Sequence, residues 1–265
     1  MSVFDAPHTG CPGLTILGAL PARGPWSSWR GATTDGQAVE VLALLPSLDP
    51  QLRQRERERL RLLPTIRQTD LLPVLAAGTA PDGRRFVVTA LSHGPTLEDW
   101  VARHGALGPA MAVGLVRRLA IALEPAHRAG VIHRAVSAAM VHLDRAQREP
   151  RDPFPFAVRL AGIGLAADPG DEVRDDPRED LRGLAAVLAC ALGGTDRCPL
   201  GTPQVVIELH DWLLHPEQST PVGCRMVVTR CDAVAMQVAP ALRFARRGLF
   251  LLIALLALLA WWQLN

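Results

Sequence analysis

The sequence predicts an α+β protein of two lobes, a small antiparallel sheet followed by a mostly helical lobe, with one transmembrane helix near its C-terminal end. Three observations predict it. Between Leu14 and Leu91 short apolar stretches alternate with turn signals, the pattern of paired strands. From Pro109 onward apolar residues recur at helical spacing, as at Met111, Leu115, Leu119 and Leu123. Finally, Gly248 to Trp262 contains no charged or polar residue.

In the first half, Leu14 to Leu20 and Trp26 to Thr33 read as strands around the turn Pro21-Ala22-Arg23-Gly24-Pro25. Asp35-Gly36 is a tight-turn signal, and Ala38 to Leu45 follows as the next strand. Asp49-Pro50 has the N-cap and first-turn chemistry of a helix, which should run to about Leu63 and stop at Pro64. That helix carries Arg53, Arg55, Arg57, Arg59 and Arg61 interleaved with Glu56 and Glu58. Such a run is either a solvated, charge-rich face or a basic surface for an acidic partner or anionic lipid. Leu71 to Ala77 and Phe86 to Leu91, around the turn Pro81-Asp82-Gly83, complete the sheet.

In the second half, Thr96 caps a helix over Leu97 to Arg103, and Pro109 to Ala129 forms a long one. Pro125 lies inside it. A proline there removes one hydrogen bond and clashes with the preceding turn, at ~3 kcal/mol if unrelieved, which predicts a kink or an early end near Leu123. A small-residue loop through His133-Arg134 leads to short strands at Val141 to Leu143 and Phe156 to Leu160. Asp180 to Leu192 is apolar nearly all round and closed by Gly193-Gly194, the mark of a buried helix. Further helices are predicted over Val205 to Leu214 and Gly223 to Ala235.

The 265 residues suit one domain with a real core and a short appendage. A net charge of +2 is too small to argue for a nucleic-acid partner. The chain contains no Lys, and its one Asn is Asn265. Five Cys without a Cys-x-x-Cys pair argue against a disulfide framework or a zinc ribbon. Cys198, Cys224 and Cys231 leave a metal site conceivable but read as reduced thiols. Met1 to Pro12 has no basic start followed by an apolar run, so no signal peptide is expected.

The segment Gly130-Val131-Ile132-His133-Arg134-Ala135, with Met140 five residues after Ala135 and Ala161-Gly162-Ile163-Gly164 beyond the second strand, resembles the catalytic and metal-binding loops of the bacterial Ser/Thr protein-kinase superfamily. The resemblance covers about Leu14 to Ala235. It implies that Ala135 stands at the catalytic Asp, Met140 at the Asn that holds the second Mg²⁺, and Gly162 at the metal-binding Asp. Leu42 falls at the phosphate-binding Lys, and Arg59 at the Glu that would pair with it. Pro21, Arg23 and Trp26 occupy the three glycine positions of the phosphate loop. His133 is expected to pack beneath the site, Arg134 to meet a local acid, and Asp180 to hydrogen-bond the backbone of the loop around His133. The stretch Ala166 to Glu179 is short, and His215 to Pro221 lacks the Arg that the family carries in that turn. The resemblance therefore implies a pseudokinase with no cofactor and no metal.

The C-terminal apolar run from Gly248 to Leu264 spans about 26 Å at roughly 1.5 Å per residue, slightly short of the ~30 Å bilayer core. Arg243, Arg246 and Arg247 precede it, and Trp261 and Trp262 sit where an aromatic belt belongs. The expected organisation is a lead-in over 1–12, the kinase-like domain over 13–236, a basic linker over 237–247 and a membrane span over 248–264. It places the domain on the cytoplasmic face of a bacterial inner membrane, anchored once in the lipid bilayer, as a scaffold or regulator for an unidentified protein partner. The alternatives are an atypical kinase or ATP-binding switch, and a lipid-surface sensor built on the Arg-rich helix.

Overall fold

The computed structural model describes residues 13–23, 26–44, 50–92, 94–145, 156–163, 176–216 and 223–238. The N-terminal lobe is an antiparallel sheet in the order β1-β2-β3-β5-β4: β1 (Leu14–Arg23), β2 (Trp26–Thr33), β3 (Ala38–Leu44), β4 (Val74–Thr79) and β5 (Arg85–Ala90). The helix α1 (Pro50–Leu62) comes between β3 and β4, followed by one 3-10 turn at Leu63–Thr65. The helical lobe holds α2 (Leu97–His104), α3 (Pro109–Arg128), α4 (Arg178–Ala191), α5 (Gln204–Leu214) and α6 (Cys224–Val238), with the hairpin β6 (Val141–Arg145) and β7 (Phe156–Leu160).

Most elements follow from local chemistry. Gly36, at φ 81°, turns β2 into β3, and Thr96 accepts the Asp99 N–H as the N-cap of α2. Where the structure departs from the sequence expectation, a non-local partner is the cause. β1 runs on to Arg23, which pairs with Trp26, through Pro21 and a register shift. Pro21 is tolerated because β1 is an edge strand. The expected strand from Leu71 begins instead at Val74, because Leu71 bridges to Leu160 and the Leu72 N–H donates to the Leu160 carbonyl. As expected, α1 ends beside Pro64, at Leu62, and Pro64 lies within the 3-10 turn that follows.

Of the kink or early end expected near Leu123, the early end does not occur, since α3 continues through Pro125 to Arg128. Proline at 125 leaves the Ile121 carbonyl without its helical donor. Gln68 Nε2, reaching across from the connector before β4, donates to that carbonyl at 3.4 Å. We expect Gln68→Leu to lower stability by about 1 kcal/mol. The same change made on Pro125→Ala, which restores the helical donor, should cost less. Equal losses in both backgrounds, read by urea unfolding, would show that Gln68 does not serve this carbonyl.

The two faces of the sheet bury different things. Trp29, Val39, Val41, Ala43, Phe86 and Val88 form a small apolar cluster on one face. On the other, Trp26, Leu42 and Val87 join the main core, which is continuous with Leu97, Leu115, Leu143 and Leu184 of the helical lobe. No described helix is long and apolar enough to cross a membrane, and the span over 248–264 and its flanking Arg243, Arg246, Arg247, Trp261 and Trp262 lie outside the described residues.

Candidate functional site

The loop after α3 is organised by one buried carboxylate. Asp180, in the first turn of α4 and fully buried, accepts from the His133 N–H at 2.9 Å and the Arg134 N–H at 2.6 Å. Its Oδ2 also accepts from His127 Nε2 at 2.7 Å. Arg134 adopts φ 62°, a left-handed conformation that costs a non-glycine residue on the order of 1–3 kcal/mol. That turn aims two successive N–H groups at one anion. Burial would raise the Asp180 carboxyl, but the hydrogen bond from His127, the charge interaction with His133 and the two backbone N–H groups outweigh it and hold it below its ordinary value. α4 can approach the loop this closely because Gly183 has no side chain: a Cβ there would stand 2.5 Å from the Val136 carbonyl oxygen.

His127 and Cys224 extend the chain of hydrogen bonds. With Nε2 donating to Asp180, Nδ1 of His127 accepts from the Cys224 Sγ–H, 3.3 Å away at the start of α6. Burial, with the charges of Asp180 and Glu124, pushes the Cys224 thiol up to about 12, so it stays protonated and inert. Cys231 is likewise pushed up to about 12 by burial, and Cys198 is a free thiol. Among the described residues no group of His, Cys, Asp and Glu is placed to hold a metal ion.

His133 is fully buried, and its Nδ1 accepts from the Ala135 N–H at 3.3 Å. Burial lowers its pKa to about 4 against the opposing pull of Asp180 and of hydrogen bonding at the Ala161 backbone. The charge of Arg59 lowers it further, which places this residue of α1 near the loop. Arg134 Nε lies 4.0 Å from Glu179 Oε2, and burial raises the Glu179 carboxyl despite Arg134.

The matched positions are brought together as follows. Ala135 lies half-buried in the loop, two residues beyond His133. Met140, in the 3-10 turn before β6, packs on the core, and its carbonyl accepts from the Ala161 N–H at 2.8 Å. That bond sets Met140 beside buried Gly162, whose φ is 88°. Leu42 sits in mid-sheet, paired with Ser28 on β2 and Val87 on β5, and is 1% exposed. Pro21 is exposed on β1, Arg23 pairs through its backbone with Trp26, and Trp26 is buried in the core shared with Leu42. Ala166 to Asp175 of the short segment and Glu217 to Pro221 of the turn lie outside the described residues.

Sequence reasoning missed the polar residues beside Leu42. The register puts Ser28, Glu40 and Thr89 on the same face as Leu42, and all three are at most 4% exposed. The Ser28 hydroxyl donates to Glu40 Oε1 at 2.6 Å. Nearby, the Arg85 guanidinium stands 5.9 Å from the centre of the Trp26 ring, with its pKa lowered to about 10 by burial. Strict alternation in β3 was the available signal: Glu40 and Leu42 must share a face.

The five-stranded sheet, the helical lobe and the loop braced by Asp180 define a protein-kinase-like fold. The serine/threonine-protein kinase PknH of Mycobacterium tuberculosis is 30% identical to this chain over 135 residues, 51% of the chain and 20% of PknH. PknE of the same species is 32% identical over 135 residues, 51% of the chain and 22% of PknE. The chain thus spans about a fifth of the length of these curated relatives. The crystal structure of the Mycobacterium tuberculosis PknI kinase domain superposes with a TM-score of 0.65 at 21% identity, covering 86% of this chain and 98% of that domain. A double mutant of the same domain gives 0.68 at 19% identity, covering 89% and 100%. No protein-family model matches the chain.

Proposed function

We propose that this chain is a catalytically silent, membrane-tethered member of the kinase fold that works as a scaffold or regulator through protein–protein interaction. One observation carries the reading: the positions that handle phosphate and metal in a kinase hold Leu42, Ala135, Met140 and Gly162. None of these side chains can carry a charge, coordinate Mg²⁺ or accept a proton. The sheet face around Leu42 supports it further. Trp26, Ser28, Glu40 and Thr89 are buried there, and the Trp26 ring fills part of that face. The tether rests on Arg243, Arg246 and Arg247 ahead of the apolar run that ends in Trp261 and Trp262.

The test uses the full-length chain in detergent. No thermal shift is expected with Mg²⁺-ATP up to the low-millimolar range, and no radiolabelled phosphate on the protein or on casein. Ala135→Asp alone should restore neither. The competing reading, an ATP-binding switch, draws on Arg59, a cation near His133 that could meet phosphate without metal. A thermal shift with ATP that disappears in Arg59→Gln would establish that reading instead. For the tether, deleting residues from Arg243 onward should move the protein from the membrane fraction to a folded soluble one. Retention on membranes after a high-salt wash would place the anchor elsewhere.

A further inference from the structure

A cavity lies away from the loop of His133. It is a groove of about 550 Å³ where three segments meet: the connector from Ile66 to Pro73, the inter-lobe link from Ala90 to Ser92, and the β6–β7 hairpin through Asp144 and Arg159. Its volume falls within the range of about 300–1,000 Å³ typical of ligand sites. Leu71, Leu72 and Leu91 supply apolar wall, and charged groups stand among them.

Those charged groups are unspent. Arg159 is fixed in place by Nη1, which donates to the carbonyls of Thr69 and Val158, while its remaining donors have no partner among the described residues. Arg67 is exposed and makes no hydrogen bond or ion pair among them. The Ser92 hydroxyl oxygen is buried without a hydrogen-bond partner there, an arrangement that costs about 1–3 kcal/mol until something fills it. The connector is also the continuation of α1, whose Arg57 and Arg61 are exposed. Arg67 and Arg159 are the cations that line the groove, beside the apolar Leu71, Leu72 and Leu91. Asp144 adds a lone carboxylate, set over Gly94.

We propose that this groove docks an acidic, leucine-rich extended segment of a partner protein. Carboxylates of the segment would pair with Arg67 and Arg159, its apolar side chains would cover Leu91, and a backbone N–H would meet Asp144. A bilayer surface suits the site less well, because the groove is concave and a carboxylate lies inside it. The groove touches both lobes and the link between them, so an occupant there fixes their relation. This deepens the scaffold reading, and it is measured independently of phosphoryl transfer, so either can fail alone.

The test is fluorescence anisotropy on the full-length chain in uncharged detergent, with a fluorescein-labelled peptide of alternating Glu and Leu as probe. Saturable binding at least about tenfold tighter than to the matching Lys-Leu peptide is expected. Arg67→Glu should weaken it about tenfold or more, and so should Thr69→Trp, which fills the groove without changing its charge. Arg103→Glu, exposed on α2, should leave it unchanged. Unchanged thermal unfolding of each variant keeps the comparison valid. No binding of the acidic peptide overturns the proposal. So does equal loss in Arg103→Glu, which marks diffuse charge, or displacement by short-chain phosphatidylserine in preference to unlabelled peptide, which marks a lipid site.

Discussion

Replacing Asp180 with Ala is expected to lower the melting temperature of the protein by roughly 5–20 °C. The side chain accepts from the N–H groups of His133 and Arg134 and from His127, and Asp180 and His133 are both fully buried. Each buried donor left without an acceptor costs about 1–3 kcal/mol, so the two backbone groups alone account for roughly 2–6 kcal/mol. The left-handed turn at Arg134 is held by the same contact, and its relaxation offsets a part of that loss. Asp180→Asn should be almost as harmful. Its one oxygen can serve one N–H, but its amide group then faces another donor. Glu179→Ala, one residue away and carrying only the 4.0 Å contact to Arg134, is the internal control and should shift the melting temperature by a few degrees at most. If Asp180→Ala and Glu179→Ala melt together, the loop is not hung on Asp180.

How far the sequence made this visible depends on whether the partner is local. The β2–β3 turn at Gly36, the cap at Thr96 and the buried stripe of α4 are written in adjacent residues, and each element appears within a few positions of its expectation. The passage of α3 through Pro125 could not be read, because the donor that makes it tolerable is Gln68, 53 residues before the Ile121 carbonyl it serves. Nor could Cys224 be linked to His127, which is 97 residues away on another helix. Glu40 is a subtler case. A Glu in a strand suggests the solvated face. Register, however, forces it onto the face of Leu42, where Ser28 supplies the hydrogen bond that makes its burial possible. The replacements at Leu42, Ala135, Met140 and Gly162 were legible only against the family pattern, since four small or apolar residues say nothing by themselves.

The burial of His133 fixes how the fold should respond to acid. Its pKa is held at about 4, below the ordinary 6.5, so the folded protein keeps the ring neutral while the unfolded chain takes up a proton as pH falls through 6.5. A depressed folded-state pKa means that stability is retained above the unfolded value and lost on acidification. The loss should run at about 1.4 kcal/mol per pH unit between pH 6.5 and about 4, then level off once both states are protonated. Asp180 has the same sign in a lower window. Its carboxyl lies below the ordinary 3.8, so its contribution survives the His133 range and disappears only in stronger acid. Glu179, raised by burial, runs the opposite way and gains relative stability as it protonates. Comparing each pH with a single variant removes both carboxylates from the difference. In His133→Phe the buried volume is kept and the titration is gone, so its unfolding free energy should fall less steeply than that of the natural protein from about pH 6.5 to about pH 4, by ~2 kcal/mol at about pH 5. Urea unfolding at matched pH values measures it directly. Parallel curves for the two proteins would mean that the imidazole titrates in the folded state as freely as in water, and that the loop around His133 opens to solvent.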